Sequence, residues 1–270
     1  MPDPTFRMPA LFVGHGSPMN ALDDNRYTQG WRALAQAIPR PRAILVISAH
    51  WQTRGTAITA AAAPRTIHDF GGFPQALFDL RYPAPGDPAL AAQIRDQLAP
   101  LPVALDLAWG LDHGAWSVLI KMYPQADVPV LQLSIDASRA PDWHLALGRR
   151  LAVLREQGVL LLGTGNVVHN LSKLVWGGAS APDWATRFND RVRATLTGST
   201  PTLITEFAAW GPDAALAVPS AEHLLPLLYI LGSRIDTEPI TLPIDGIELG
   251  AISMMTVAVG ALGDGAVQPG

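Results

Sequence analysis

The strongest strand signal in the chain lies at residues 43–51, which read AILVISAHW. A short apolar run rich in β-branched residues is typical of a strand that is buried on both faces. The run ends at Ser48, and His50 follows almost at once. Similar runs, each predicted to be a strand, span residues 10–13, 57–62, 103–107, 129–135, 159–162 and 248–259.

Amphipathic stretches lie between these runs and predict helices over residues 24–37, 88–98, 115–122, 141–156, 183–196 and 221–231. Alternation of strands and helices favours an α/β fold with a mostly parallel or mixed central sheet flanked by helices. The final strand could pair antiparallel, either at an edge of the sheet or in its middle. No linker-like stretch divides the chain, so we expect a single domain over residues 1–270.

The composition excludes several classes of function. The formal net charge is -4, and the chain lacks the basic footprint of a nucleic-acid-binding protein. It has no cysteine, which excludes disulfides, thiolate metal sites and a cysteine nucleophile, and which fits a cytoplasmic protein. No run of about 18 apolar residues predicts a membrane span. The Gly-x-Ser-x-Gly and His-Glu-x-x-His patterns of common hydrolases and metalloproteases do not occur.

Three histidines follow predicted strands. His15 comes after the strand at 10–13, His50 after the strand at 43–48, and His169 after the strand at 159–162 and a glycine-containing loop. Ligands of open α/β sheets bind beyond the carboxyl ends of the strands. Because imidazole is the commonest metal ligand, the three rings predict a shared metal site at that edge. The alternative is that each histidine is a loop residue bonded to a nearby carbonyl.

The other histidines have varied settings. His113 and His223 sit at the starts of predicted helices, where free N–H groups favour negative charge. His68 is either a structural loop residue or a substrate contact. His144 is expected to have a structural role, bonded to a nearby carbonyl, on a surface helix.

Several motifs, taken in order, resemble those of the class III extradiol ring-cleavage dioxygenases, and most closely those of the 4,5-DOPA dioxygenase-like branch. The resemblance runs from residue 12 to about residue 231 and so covers most of the chain. It rests on Gly-His-Gly-Ser-Pro at 14–18, Ser-Ala-His-Trp at 48–51, His-Asp-Phe-Gly-Gly-Phe-Pro at 68–74, Asp-His-Gly-Ala-Trp at 112–116, Gly-Thr-Gly-Asn-Val-Val-His-Asn at 163–170 and Ser-Ala-Glu-His-Leu-Leu-Pro-Leu at 220–227.

The resemblance implies one divalent metal ion per chain. His15 and His50 match the first two ligands, and His223 matches the third, with Glu222 beside it as the alternative ligand. His169 matches the acid/base histidine, which some members also use as a fourth ligand. Fe(II) is the metal implied for activity, although Zn(II) often occupies such sites after purification.

The resemblance also implies the substrates, which are a catechol and dioxygen. His113 matches a histidine that contacts the substrate or oxygen, and His68 is a further candidate substrate contact. Aromatic side chains that could line the pocket, with core packing as the alternative for each, are Trp51, Phe70, Phe73 and Trp116.

The expected reaction is ring opening of the catechol by dioxygen. His169 would take a proton from a catechol hydroxyl and later return it, and His113 would stabilise developing negative charge. Two other functions stay open. One is a zinc hydrolase with Glu222 or Asp112 as the base, and the other is a metal-binding relative that has lost the chemistry.

Overall fold

The computed structural model describes residues 7–177, 180–235 and 237–263. Its strands are β1 (Ala10–Gly14), β2 (Ala43–Ser48), β3 (Gln52–Thr53), β4 (Thr56–Thr59), β5 (Val103–Asp106), β6 (Val130–Gln132), β7 (Ile135–Asp136), β8 (Val159–Gly165), β9 (Ile240–Ile244), β10 (Ile247–Glu248), β11 (Ile252–Ser253) and β12 (Thr256–Val259). Its α-helices are α1 (Arg26–Ala37), α2 (Gln75–Asp79), α3 (Pro88–Gln97), α4 (His113–Met122), α5 (Pro141–Leu151), α6 (Val153–Glu156), α7 (Asp183–Thr197), α8 (Pro212–Ala217) and α9 (Leu225–Gly232). Short 3-10 helices span Pro18–Ala21, Leu171–Lys173 and Pro201–Ala209.

In the described part of the chain, the central sheet has six strands in the order β6-β2-β8-β1-β12-β9. Strands β6, β2, β8 and β1 are parallel, whereas β12 pairs antiparallel with both β1 and β9. The last strand therefore lies inside the sheet. The predicted fold class, α/β with a mixed central sheet flanked by helices, is confirmed.

Strand β1 shows why the sheet is buried on both faces. Ala10 and Phe12 belong to one apolar cluster, while Leu11 and Val13 belong to the other. Successive side chains of a strand point to opposite faces, so an unbroken apolar run supplies both clusters at once. Helices α5, α7 and α9 pack on the first face, and α1 and α4 pack on the second. Among the described residues, no helix has the length and apolar character needed to cross a membrane.

The sheet fixes where the site can form. Because β2, β8 and β1 are parallel neighbours, their carboxyl ends lie side by side at one edge. The loops stay attached to β8 beyond the strands, since His15 N donates to Gly165 O at 3.1 Å and Ala49 N donates to Thr164 O at 3.0 Å. The histidines after these strands are thereby held close to one another.

Several predicted boundaries were wrong. Residues 248–259 form the three strands β10, β11 and β12, because Leu249 and Gly250 both have positive φ angles that break an extended run. Residues 129–135 divide between β6 and β7, and residues 141–156 divide between α5 and α6. Strand β9 was missed, and its internal Pro243 explains the omission.

The predicted surface position of His144 was wrong, although the predicted contact with a backbone carbonyl is present. Helices α5 and α9 pack closely, and a Cβ atom at Gly148 would lie only 2.3 Å from the Tyr229 carbonyl oxygen. That approach buries His144 completely. Its Nδ1 lies 2.9 Å from the Tyr229 hydroxyl, and its Nε2 lies 3.3 Å from Arg139 O.

Candidate metal centre

The histidine cluster is built from four separate chain segments. His15 follows β1, His50 follows β2, and His113 is the first residue of α4, which Asp112 caps by accepting from Ala115 N. His223 lies two residues before α9, and not inside a helix as predicted. Its backbone is fixed instead by a strand end, since its carbonyl oxygen accepts from Asn166 N at 2.9 Å.

His15, His50 and His223 bring ring nitrogens within 4.8 Å of one another. His15 Nε2 and His50 Nε2 lie 3.2 Å apart. Two imidazole nitrogens bound to one tetrahedral zinc ion would be about 3.3 Å apart, given bonds near 2.0–2.1 Å. The donor set and this spacing therefore fit a divalent metal.

The outer ring nitrogens of two of these histidines face carboxylates. His223 Nδ1 lies 3.1 Å from Glu222 Oε1, and His50 Nδ1 lies 3.5 Å from Asp69 Oδ2. Metal-binding histidines commonly donate the N–H of the other nitrogen to a carboxylate, which leaves the inner nitrogen free for the metal. Within the described residues, the buried His223 Nε2 and His15 Nδ1 have no hydrogen-bond partner. A bound metal would satisfy the His223 atom.

Burial makes these imidazoles neutral. It lowers the pKa of His15 and of His50 well below the usual histidine range, and the neighbouring imidazoles lower both further. Burial also lowers the pKa of His223, against the opposing effect of Glu222. A neutral imidazole has a free lone pair, which metal binding requires.

Glu222 contacts the cluster through hydrogen bonds. Burial alone would raise the pKa of Glu222, but bonds from His223, its own backbone N–H and Ser220 lower it to about 2. The carboxylate is therefore ionised at neutral pH. With His169 and His223 it also forms a second group of possible metal ligands.

His169 stacks on His223. The two ring centroids are 3.5 Å apart and the rings are 8° from parallel. Burial, followed by the nearby His223, lowers the pKa of His169 to about 3, so the ring is neutral near pH 7. The structure thus brings His169 to the edge of the cluster, beside a proposed ligand.

His113 lies beside His50, with the two ring centroids 3.9 Å apart. Asp69 accepts from His113 N at 2.9 Å, and its Oδ1 lies 3.0 Å from His113 Nδ1. Burial raises the pKa of Asp69, but the His113 and His50 contacts outweigh it and lower the pKa below its usual value. Asp69 is a site residue to which sequence reasoning assigned no role; its place in the His-Asp-Phe-Gly-Gly-Phe-Pro motif was the available signal.

A buried polar network lies beneath His50 and His113. Asp112 is fully buried, and its two carboxylate oxygens accept from Ser48 Oγ at 2.6 Å and from Gln132 Nε2 at 2.7 Å. Both oxygens are therefore occupied in fixing the backbone. The close approach of α4 to Ser48 and His50 also needs Gly114. A Cβ atom at this position would lie 2.6 Å from Ser48 Oγ and 2.8 Å from a ring carbon of His50.

The predicted substrate contacts fall into two groups. His68 Nε2 lies 3.0 Å from Leu80 O, and the His68 ring lies 5.4 Å from Trp116, which is fully buried and donates its indole N–H to Ile67 O. Trp51 is buried and stacks on Trp109. These contacts are those of packed side chains.

Phe70 contacts a histidine of the cluster. Its ring meets the His113 ring edge-on, with centroids 5.5 Å apart, and Phe73 packs against Phe70 at 5.4 Å. Both phenylalanines are partly exposed, so this aromatic pair borders the cluster on the His113 side.

Comparison with known proteins identifies the class to which this site belongs. Residues 9–238 match the family described as the catalytic LigB subunit of aromatic ring-opening dioxygenase. The chain belongs to that family. The predicted family and the predicted enzyme class, extradiol ring-cleavage dioxygenase, are confirmed.

Individual relatives are similar over nearly the whole chain. A protein of Escherichia coli (strain K12) named 4,5-DOPA dioxygenase extradiol is 56% identical over 260 residues, which cover 94% of this chain and 95% of that protein. A Beta vulgaris protein of the same name is 38% identical over 230 residues, covering 83% of this chain and 85% of its own. The crystal structure of an uncharacterized Escherichia coli K12 protein superposes with a TM-score of 0.82 at 50% identity, covering 94% of this chain and all of that one.

Proposed function

We propose that this chain opens the aromatic ring of a DOPA-like catechol with dioxygen, using one divalent metal held by His15, His50 and His223. The observation that carries the proposal is the convergence of these three imidazoles, two buried and one partly buried, within 4.8 Å, with His113 against His50 and His169 against His223. The relatives named 4,5-DOPA dioxygenase extradiol support the choice of substrate. We take residues 1–270 as one catalytic domain, because the family match spans most of the central sheet.

Fe(II) is the metal that we propose for activity, with Zn(II) as an alternative occupant. The usual non-haem iron triad has two histidines and one carboxylate. A third neutral histidine makes the site one unit more positive, which favours an anionic catecholate. A divalent metal bound here would lower the pKa of a catechol hydroxyl, and iron would also supply the redox chemistry that dioxygen needs.

The chain's own residues would manage the protons and the developing charge. A ring nitrogen of the neutral His169 is the proposed acceptor of a catechol hydroxyl proton, which it returns later in the reaction. Stacking on His223 holds His169 in place. His113, at the start of α4 and against Phe70, is the residue that we propose stabilises a developing oxyanion.

The test is to load the protein with Fe(II) under nitrogen and then to supply DOPA and oxygen. We expect a yellow ring-opened product and the uptake of one dioxygen per catechol. The zinc-loaded protein should be inert towards catechol, because zinc has no redox chemistry.

Two results would contradict the proposal. Ester cleavage by the zinc form that needs His15 and persists under nitrogen, without catechol turnover by the iron form, would indicate a hydrolase. A fully metal-loaded protein without turnover of either kind would indicate a relative that has lost the chemistry.

A further inference from the structure

Asp69 lies between two site histidines that come from different chain segments. One carboxylate oxygen, Oδ1, accepts from the backbone N–H of His113 at 2.9 Å and lies 3.0 Å from the Nδ1 atom of the same residue. The other oxygen, Oδ2, lies 3.5 Å from His50 Nδ1. The Asp69 side chain is 21% exposed, so most of it is shielded from water.

We infer that Asp69 is a positioning residue that acts on both histidines at once. It sets which nitrogen of His50 faces the metal, and it orients the ring of His113. The inference rests on the proposed function in one respect, namely that His50 binds a metal. Beyond that function, we infer that the single carboxylate of Asp69 affects both metal affinity, through His50, and turnover, through His113.

For His50, the contact with Asp69 concerns the tautomer of the imidazole. A neutral imidazole carries its proton on one nitrogen and offers a lone pair on the other. A carboxylate oxygen beside Nδ1 favours the proton there. The lone pair is then on Nε2, the atom that lies 3.2 Å from His15 Nε2 inside the cluster.

For His113, the contact with Asp69 concerns the direction of the ring. The Oδ1 atom accepts from the backbone N–H of His113 and lies 3.0 Å from its Nδ1, an electrostatic contact outside hydrogen-bond geometry that holds the Nδ1 edge of the ring towards the helix start. In that orientation its centroid lies 3.9 Å from the His50 ring.

Asp69 is not needed to form the helix that carries His113. Asp112 already caps α4 by accepting from Ala115 N at 3.2 Å, and it joins α4 to β2 through Ser48. Asp112 therefore fixes the backbone, whereas Asp69 positions the imidazole rings of His50 and His113. Replacing Asp69 should alter the site more than the fold.

The experiment compares Asp69→Asn with Asp213→Asn in the full-length protein. Asp213 is a surface carboxylate, 30% exposed and paired with Arg187, so its replacement controls for the loss of one charge. Zinc affinity of the metal-free proteins is measured by competition with a chelator. Loss of a carboxylate that contacts a ligating histidine should weaken zinc binding about 10–100-fold in Asp69→Asn, with no change in Asp213→Asn.

Two further readouts separate positioning from stability. In nitrogen-15 NMR spectra of the histidines, wild type should show His50 with its proton on Nδ1, and Asp69→Asn should lose that preference. In the metal-saturated iron form, Asp69→Asn should also lower kcat, because the His113 ring is no longer held in its orientation. Asp69→Glu, which restores the carboxylate on a longer side chain, should recover part of the zinc affinity.

Equal zinc affinity in wild type and Asp69→Asn would overturn the inference, as would a loss of thermal stability with no change in tautomer. If Asp69→Asn does not fold, zinc binding by Asp69→Glu as tight as that of wild type would overturn it instead. Wild type that binds zinc but never cleaves catechol would contradict the proposed function alone, since zinc affinity and the His50 tautomer still test Asp69. Wild type that binds no zinc would contradict both.

Discussion

Two buried regions of this protein differ in whether their polar side-chain atoms are hydrogen-bonded. Around Arg155, which is fully buried, the guanidinium donates to three backbone carbonyls and to both oxygens of Glu238. In the histidine cluster, by contrast, His15 Nδ1 and His223 Nε2 are buried with no partner among the described residues. Buried polar groups are normally hydrogen-bonded. Because Glu222 faces the other ring nitrogen of His223, the unpartnered His223 Nε2 is the atom at which a metal is expected.

His144 sharpens this comparison because it is a buried histidine outside the cluster. Both of its ring nitrogens lie near partners, the Tyr229 hydroxyl and Arg139 O. Burial lowers its pKa to about 4. A lowered histidine pKa is therefore common to both regions and does not distinguish them, whereas the hydrogen-bonding of the ring nitrogens does.

The largest expected effect separates the two kinds of buried histidine. His223→Ala should abolish stoichiometric metal binding, because it removes one of three proposed ligands. His144→Ala should leave metal content unchanged but reduce the free energy of unfolding by about 2–4 kcal/mol, through a cavity and an unpaired Tyr229 hydroxyl. Metal analysis and urea denaturation of both variants measure this. Retention of metal by His223→Ala would contradict the conclusion that His223, unlike His144, is a metal ligand.

The next effect concerns the histidine beside the proposed ligands. His169→Ala should keep the metal nearly intact while lowering turnover about 10²–10⁴-fold, since it removes a proton acceptor. Metal content and steady-state rates of the iron form are the measurements. If metal is lost together with activity, His169 is a ligand first, and its proposed role as acid/base is wrong.

A smaller effect tests the region around Arg155, where the buried polar atoms are hydrogen-bonded. Glu238→Gln should reduce stability at pH 7 by about 3 kcal/mol, because the buried Arg155 loses its counter-charge. Burial alone would raise the pKa of Glu238, but its contacts with Arg155 lower it below the ordinary glutamate value of 4.5. The ion pair therefore stabilises the protein above pH 4.5, and this stabilisation is lost as the pH falls through the lowered pKa.

The measurement is the free energy of unfolding as a function of pH. The difference between wild type and Glu238→Gln should shrink as the pH falls below that range, and metal content should be the same in both. A difference that stays constant with pH would contradict the assigned role of the ion pair.

The sequence was sufficient to predict the parts of the site that follow strands. Buried parallel strands carry continuous apolar runs, so the sequence indicates where β1, β2 and β8 end. It therefore also indicates that His15, His50 and His169 follow these strands. The position of His223 depended on a resemblance, because a turn before a helix has no periodic signal. The run at 248–259 suggested one strand, since apolarity does not reveal positive φ angles at Leu249 and Gly250.

The contacts around the histidines could not be predicted in the same way. Asp69 lies in a loop and contacts two distant residues: His50, which is 19 residues earlier in the chain, and His113, which is 44 residues later. Burial of His144 likewise depends on the close packing of α5 against α9. Such contacts arise from tertiary packing, which local patterns do not encode.

X-ray absorption at the zinc edge of the zinc-loaded protein tests the central claim most directly. The account predicts three imidazole nitrogens at roughly 2.0–2.1 Å from the metal in wild type. It predicts the loss of this signal in His15→Ala and its retention in His144→Ala. A zinc site with fewer than two imidazoles, or one that persists unchanged in His15→Ala, would contradict the account.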